Sequence, residues 1–288
     1  MSSIWNTLQG VEFKQTYIDA GGIRTRSITA GDGPVLIFLH GTGGHAEAYL
    51  RNIEAHAEHF TVHAIDMVGH GYTDMPDIDY SPQHYVDHLL AFVDAIGADK
   101  VHISGESLGA QVAAWFALQH PGRVNKIVMN TGILLPPDAA GKKDLQDLLD
   151  RSRKAAGTPD RDAIRMRLRW LVHEDHSVTE ELITARKMIY DQPGRAAVIR
   201  QIAEQSIGAL LDAEIAEKWN NPKLLTKLTV PTLVLWTRYN PGQLVPLAEE
   251  GAALIPDSEL IVLQNSAHWP QWEEPEEFNR VHIDYLLK

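Results

Sequence analysis

The sequence contains no cysteine, so neither a disulfide framework nor a thiolate zinc site is available to it. That fits a reducing compartment. No uninterrupted apolar stretch approaches the ~18 residues that a membrane-spanning helix needs. Positive charge is scarce: 26 Lys and Arg against 38 Asp and Glu give a formal charge of −12, which weighs against nucleic acid or an anionic membrane as partner. The segment MSSIWNTLQGVEFKQ has neither the basic nor the apolar region of a secretory signal, so the expected localisation is cytoplasmic. Repeats and low-complexity segments are absent too. What is present is ordinary for a globular chain: 288 residues, 44% hydrophobic, enough for one large domain or one domain with a sizeable insertion.

Strand-like and helix-like runs alternate through the first half. Residues 11–29 alternate polar and apolar positions around Asp19-Ala20-Gly21-Gly22 and read as a hairpin. The run 35–39 is apolar throughout, as in a strand covered on both faces. A helix near 46–59, a strand at 61–66, a helix near 82–96 and strands at 101–104 and 123–129 follow. From 136 to about 227 the chain reads as charged helices without a buried strand. Alternation then resumes with strands at 232–236 and 260–263 and helices near 244–254 and 275–287. The pattern predicts an α/β fold with a mainly parallel central sheet and helices on both faces. Its core would comprise residues 1–132 and 228–288, interrupted by a helical lid over 133–227.

The sharpest local signal is Gly105-Glu106-Ser107-Leu108-Gly109, directly after the apolar run Val101-His102-Ile103-Ser104 and before the helical stretch from Ala110 to Gln119. A G-x-S-x-G segment between strand and helix holds its serine in a strained turn with the hydroxyl exposed. Serine needs a base, and His268 suits best among 14 histidines: it follows the strand at 260–263 by a short turn, in the chain order Ser, acid, His. An oxyanion hole needs two N–H donors. Leu108 should give one, and the loop His40-Gly41-Thr42-Gly43-Gly44 the other, from Thr42 first and Gly43 second. His40 itself reads as a structural hydrogen-bonding residue.

The third member breaks the pattern. After the strand at 232–236 an aspartate is expected, and Asn240 stands there in Thr237-Arg238-Tyr239-Asn240-Pro241. An amide can accept from the histidine but carries no charge, and its NH2 group can favour the wrong tautomer. Either the mechanism needs less from this member, or an aspartate has been replaced here, or an acid serves from the end of the strand near 129. Asn130 and Thr131 are not acids, however, and Asp138 is remote.

These residues resemble the α/β-hydrolase superfamily over nearly the whole chain. The segment Ala267-His268-Trp269-Pro270-Gln271-Trp272-Glu273 followed by Pro275-Glu276-Glu277-Phe278-Asn279 is similar to the meta-cleavage product hydrolases. That family hydrolyses a C–C bond in the vinylogous 1,5-diketones of aromatic ring fission. The resemblance implies that Trp269 lines the substrate pocket; generic core packing is the competing reading. It also implies that Arg186, in Thr179-Glu180-Glu181-Leu182-Ile183-Thr184-Ala185-Arg186, binds the dienoate carboxylate. Glu106 departs from the family, which often has asparagine there. Its carboxylate is expected either to turn away into a hydrogen bond or to mark a different substrate. The oxyanion loop lacks the proline frequent in the family.

No cofactor is implied, and a homo-oligomer remains open. Arg161, Arg165, Arg167 and Arg169 read as a solvated helix face. His173 and His176 read as surface residues, since no third metal ligand lies near them. The expected function is therefore hydrolysis of a ring-fission product by Ser107 and His268 with Asn240 at the acid position. A carboxylesterase on the same fold and a degenerate ligand-binding hydrolase fold are the alternatives.

Overall fold

The structure is a computed structural model that describes residues 3–288. Strands β1 (Phe13–Ala20) and β2 (Ile23–Ala30) form the expected hairpin. Gly21 and Gly22 both take positive φ, 66° and 88°, as a two-residue turn of the right twist requires. Six further strands follow: β3 (Val35–Leu39), β4 (Thr61–Ile65), β5 (Val101–Glu106), β6 (Val124–Asn130), β7 (Thr232–Thr237) and β8 (Ser258–Leu263). They form one eight-stranded sheet of order β1-β2-β4-β3-β5-β6-β7-β8, in which β3 to β8 are parallel and β1 and β2 antiparallel.

Helices α1 (Leu50–Ala57), α2 (Pro82–Ala95) and α3 (Leu108–Gln119) alternate with the early strands. Between β6 and β7 come α4 (Ala139–Gly157), α5 (Arg161–Arg169), α6 (Glu180–Tyr190), α7 (Arg195–Leu211), α8 (Ala213–Trp219) and α9 (Pro222–Leu225). The chain ends with α10 (Val245–Leu254), α11 (Pro270–Glu273) and α12 (Pro275–Leu287).

Period-two alternation divides the core between the two faces of the sheet. Ile37, Ile103, Ile127 and Val234 pack on one face with α2, α3 and α10. Leu36, Phe38, Val128 and Leu235 pack on the other with α1 and α12. The helical segment between β6 and β7 is cut into pieces by side-chain N-caps: Asp138, Asp160, Thr179 and Asp212 each accept a backbone N–H of the turn they open. Leu145 and Leu148 of α4 meet Ala203 and Ile207 of α7 in an apolar cluster of their own. Strand β5 runs two residues beyond its expected end, so the turn into α3 is a single residue, Ser107.

Candidate active site

That one-residue turn fixes the serine. Ser107 adopts φ 55° and ψ −114°, a strained conformation held by the Ser107 N–H bond to Asn130 C=O at 2.9 Å. The flanking glycines are required by close approach. A Cβ on Gly105 would lie 2.0 Å from the Gly109 carbonyl carbon, and one on Gly109 would lie 2.2 Å from Leu39 O.

His268 is delivered to the same cavity by the loop after β8. Thr131 Oγ1 donates to His268 C=O at 2.9 Å and Thr237 Oγ1 donates to Ala267 C=O at 2.6 Å. Glu273 ties this loop to the helical segment, its carboxylate accepting the backbone N–H groups of Ala267, His173 and Glu174. The His268 Nδ1–H donates to Asn240 Oδ1 at 2.6 Å. Asn240 is fully buried, and its Nδ2 donates to Gln243 C=O at 2.9 Å. The second bond determines which amide atom faces the histidine. The turn Asn240-Pro241-Gly242-Gln243, with Gly242 at φ 79°, brings that carbonyl round. An amide oxygen in this place favours the tautomer with the proton on Nδ1, although it adds no charge.

On its other side His268 meets Glu106. Glu106 Oε1 lies 3.2 Å from His268 Nε2, and Glu106 Oε2 accepts the Gly41 N–H at 2.7 Å. Glu106 is 2% exposed and lines the cavity, so its hydrogen bond to Gly41 does not turn it away from the site. Among the described residues no hydrogen bond joins Ser107 to His268, and contacts of this kind often tighten only around substrate.

In the loop after β3, Gly41 N–H is committed to Glu106 and Gly44 N–H to Gly41 C=O. The N–H groups of Thr42 and Gly43 have no partner among the described residues. Leu108 opens α3, where N–H groups lack an intrahelical acceptor. Gly43 takes φ 68° beneath the Tyr190 hydroxyl. His40 is structural: Nδ1 bonds Gly41 C=O and Nε2 accepts the Met67 N–H.

Arg186 enters from α6. It is 1% exposed, and its three guanidinium nitrogens make no hydrogen bond of good geometry, with the Tyr190 hydroxyl the polar group nearby. Its Cζ lies 5.7 Å from the Trp269 ring centre. Burial lowers its pKa, an effect opposed by the nearby Tyr190 hydroxyl and Glu106 carboxylate. Trp269 lines the cavity and also joins the core cluster beside Trp272.

The solvated reading of the arginine run is corrected at Arg167. Arg161 and Arg165 pair with Glu180, and Arg169 with Asp175, at the surface. Arg167 is 4% exposed and lines the cavity. Its Nε donates to Ser152 Oγ at 2.9 Å, its Nη2 donates to Thr42 C=O at 3.2 Å, and its Nη1 has no partner. Burial, with help from Arg186, lowers its pKa to about 10. A sequence signal existed: Ile164, Arg167, Leu168 and Leu171 share the buried helical spacing. His173 and His176 lie toward the surface, and among the described residues no three His, Asp or Glu side chains form a metal-binding group.

The open space of the cavity, solvent at its mouth included, amounts to about 640 Å³. Leu145, Leu148, Ile207 and Leu210 form an apolar part of its lining. Among the described helices none is long and apolar enough to cross a membrane.

The sequence profile of the alpha/beta hydrolase fold matches residues 34–275. The chain belongs to the alpha/beta hydrolase family. It is 28% identical over 286 residues to a 2-hydroxy-6-oxo-6-(2'-aminophenyl)hexa-2,4-dienoic acid hydrolase of Metapseudomonas resinovorans, covering 96% of this chain and 92% of that protein. It is 31% identical to a 2-hydroxy-6-oxononadienedioate/2-hydroxy-6-oxononatrienedioate hydrolase of Dechloromonas aromatica, covering 87% and 86%. The solved 2-hydroxy-6-oxo-6-phenylhexa-2,4-dienoate hydrolase of Rhodococcus sp. strain RHA1 superposes with a TM-score of 0.82 at 23% identity, covering 96% of this chain and all of that one, which shows the shared fold. Within the alpha/beta hydrolases, the resemblance to the meta-cleavage product hydrolases read from the His-Trp segment is thus borne out. The joint placement of Ser107, His268 and an unpaired buried arginine in one cavity is what this alpha/beta hydrolase offers as a site.

Proposed function

We propose that this chain hydrolyses the C–C bond of a 2-hydroxy-6-oxo-dienoate ring-fission product with Ser107 as nucleophile and His268 as base. The observation that carries the reading is Arg186: a buried guanidinium with every N–H unpaired calls for an anion, and the same cavity holds the serine. The named activities of the relatives support it. In the reaction, Arg186 holds the substrate carboxylate and His268 assists conversion of the dienol to its keto form. Ser107 then gives its proton to His268 while its oxygen bonds to the distal carbonyl carbon. The carbonyl π pair moves to the oxygen, which the N–H groups of Leu108 and Thr42, or Gly43, receive. Collapse restores the carbonyl and breaks the C–C bond, whose electron pair leaves on the conjugated dienolate; His268 returns the proton there. Water frees the acid from Ser107 by the same proton route. Helices α4 to α9 serve as the lid that encloses these steps.

The charges in the cavity narrow the substrate. Arg167, Arg186 and Glu106 sum to +1, so a single carboxylate brings the site to neutrality. The apolar lining of Leu145, Leu148, Ile207 and Leu210 suits an alkyl or aryl group beyond the distal ketone. Loss of the visible absorbance of a panel of ring-fission products is the test. Products with an apolar 6-substituent should turn over with kcat/KM at least ~10-fold above those with a second carboxylate there, one unpaired buried charge costing at least ~1.4 kcal/mol. Faster turnover of the dicarboxylates rejects the charge argument, and no turnover of any member rejects the substrate class.

Arg167 connects α4 and α5 to the oxyanion loop through Ser152 and Thr42. Arg167→Met should therefore act on both binding and chemistry. We expect KM to rise and kcat to fall by about ten-fold each, as for loss of one charge-assisted bond per step. Steady-state kinetics on the best panel substrate checks this. A change confined to KM would reduce Arg167 to a binding group.

A further inference from the structure

We propose that Glu106 supplies the negative charge that the third triad position lacks, balancing the His268 imidazolium from its Nε2 side. The inference rests on the serine-nucleophile reading above but on no particular substrate.

In a serine protease the buried aspartate both orients the histidine and stabilises its protonated form, and its replacement by asparagine lowers kcat about 10⁴-fold. In this chain the two tasks fall to different residues. Orientation belongs to Asn240, whose Oδ1 receives Nδ1–H because its Nδ2 is held by Gln243 C=O. The charge stands across the ring, where Glu106 Oε1 is 3.2 Å from Nε2. Electrostatic stabilisation depends on distance and burial and does not require the carboxylate to sit at Nδ1. Glu106 meets both conditions, being 2% exposed and within hydrogen-bonding reach.

Two further contacts show a built arrangement. The Gly41 N–H bond to Oε2 pins the carboxylate from the oxyanion loop, so its free oxygen faces the histidine. The carboxylate also packs directly on Gly41, where an added Cβ would lie 2.6 Å from Oε1 and would have to displace it. When Ser107 Oγ–H passes its proton to Nε2, the new N–H finds the Glu106 oxygen beside it. The proton stays on the imidazole, as it does beside the usual aspartate, and is later returned to the leaving carbon. Arg167 and Arg186 keep Glu106 from burdening the site with a net negative charge before an anionic substrate enters.

The test is a double-mutant cycle read by the rate at which a fluorophosphonate labels Ser107, which needs no ring-fission product. Glu106→Gln should slow labelling about 10²-fold or more, and Asn240→Asp in that background should restore it to within about ten-fold of the natural chain. Asn240→Asp alone should raise the rate by less than about ten-fold, because the charge is already present. Unchanged labelling in Glu106→Gln overturns the proposal. So does failure of Asn240→Asp to rescue it, which would leave Glu106 as a support for the Gly41 loop only. Should Glu106→Gln not fold, Asn240→Asp alone still decides, since a gain near 10³-fold means that the charge was missing. Labelling that follows this pattern in a chain that turns over no ring-fission product would reject the substrate and keep the role of Glu106.

Discussion

Replacing Arg186 with methionine should lower kcat/KM for a dienoate about 10³-fold, or roughly 4 kcal/mol of transition-state stabilisation. Methionine keeps much of the side chain's length and packing against Trp269 while removing the charge and all the donors. The size of the effect follows from what the folded chain leaves undone. Three buried nitrogens without partners are a standing cost that only an incoming acceptor relieves, so the whole of that relief is realised on binding. A bidentate carboxylate matches a planar guanidinium, and a substrate lacking one leaves the donors bare. A neutral aryl ester has no carboxylate to lose, and its hydrolysis should fall by less than about ten-fold. Parallel kinetics on a dienoate and on such an ester check the split. Equal losses on both would mean that Arg186 supports the structure of the site and does not recognise the carboxylate, which would favour the esterase reading. Arg186→Lys should recover only part of the activity, since an ammonium is a point charge without the fork.

How much of this site could be read beforehand depends on whether each residue's role was local. The place of Ser107 was legible because the demands of its turn are local. The turn needs positive φ at Ser107 and no side chain at Gly105 or Gly109, and those needs are written in five consecutive positions. His268 was legible because strand β8 and the turn after it place it at the C-terminal end of the sheet. That the sheet is covered on both faces was equally visible, since the run 35–39 is apolar throughout.

What stayed hidden depends on partners far apart in the chain. Whether Asn240 holds the useful tautomer is decided by a bond to Gln243 C=O, and that requires the turn at Gly242 to close. The direction of Glu106 is set by Gly41, 65 positions away, and how its carboxylate would meet an anionic substrate could not be weighed without Arg167 and Arg186. Arg167 was masked by its neighbours. Three of the four arginines in that run are indeed paired at the surface, and one turns inward with Ile164 and Leu168. Charge density along the run outweighed the spacing of the apolar residues, although the spacing was the better guide.

The fold itself should fail on mild acidification, and the histidines say where. Burial lowers the pKa of His40, His56, His63, His88 and His102 to about 4, and holds His70 and His282 well below the usual value. In the unfolded chain each would titrate near 6.5. Between pH 6.5 and 4 the unfolded state therefore binds protons that the folded state refuses, so stability rises with pH across this window and falls as pH is lowered through it. Each unit of pKa difference amounts to about 1.4 kcal/mol. A shift near 2.5 units at one histidine gives roughly 3 kcal/mol once pH has dropped to 4, and five such groups reach about 15 kcal/mol, the top of the range for a typical domain. Unfolding must then begin before the window is crossed, near pH 5. Two of these buried rings form a chain: His56 Nε2 bonds His282 Nδ1 at 2.9 Å, and His282 Nε2 bonds Ser104 Oγ at 2.8 Å. That chain reaches β5, the strand that leads into Ser107, so activity should disappear together with tertiary structure. Urea midpoints between pH 7.5 and 4.5, followed by tryptophan fluorescence, should fall steeply below pH 6.5 and change little above it. A midpoint that stays level down to pH 5 would mean that these rings are already charged in the folded chain. His282→Phe should flatten the dependence by about one proton, because it removes one titrating group while keeping a flat ring beside Phe38 and Phe278.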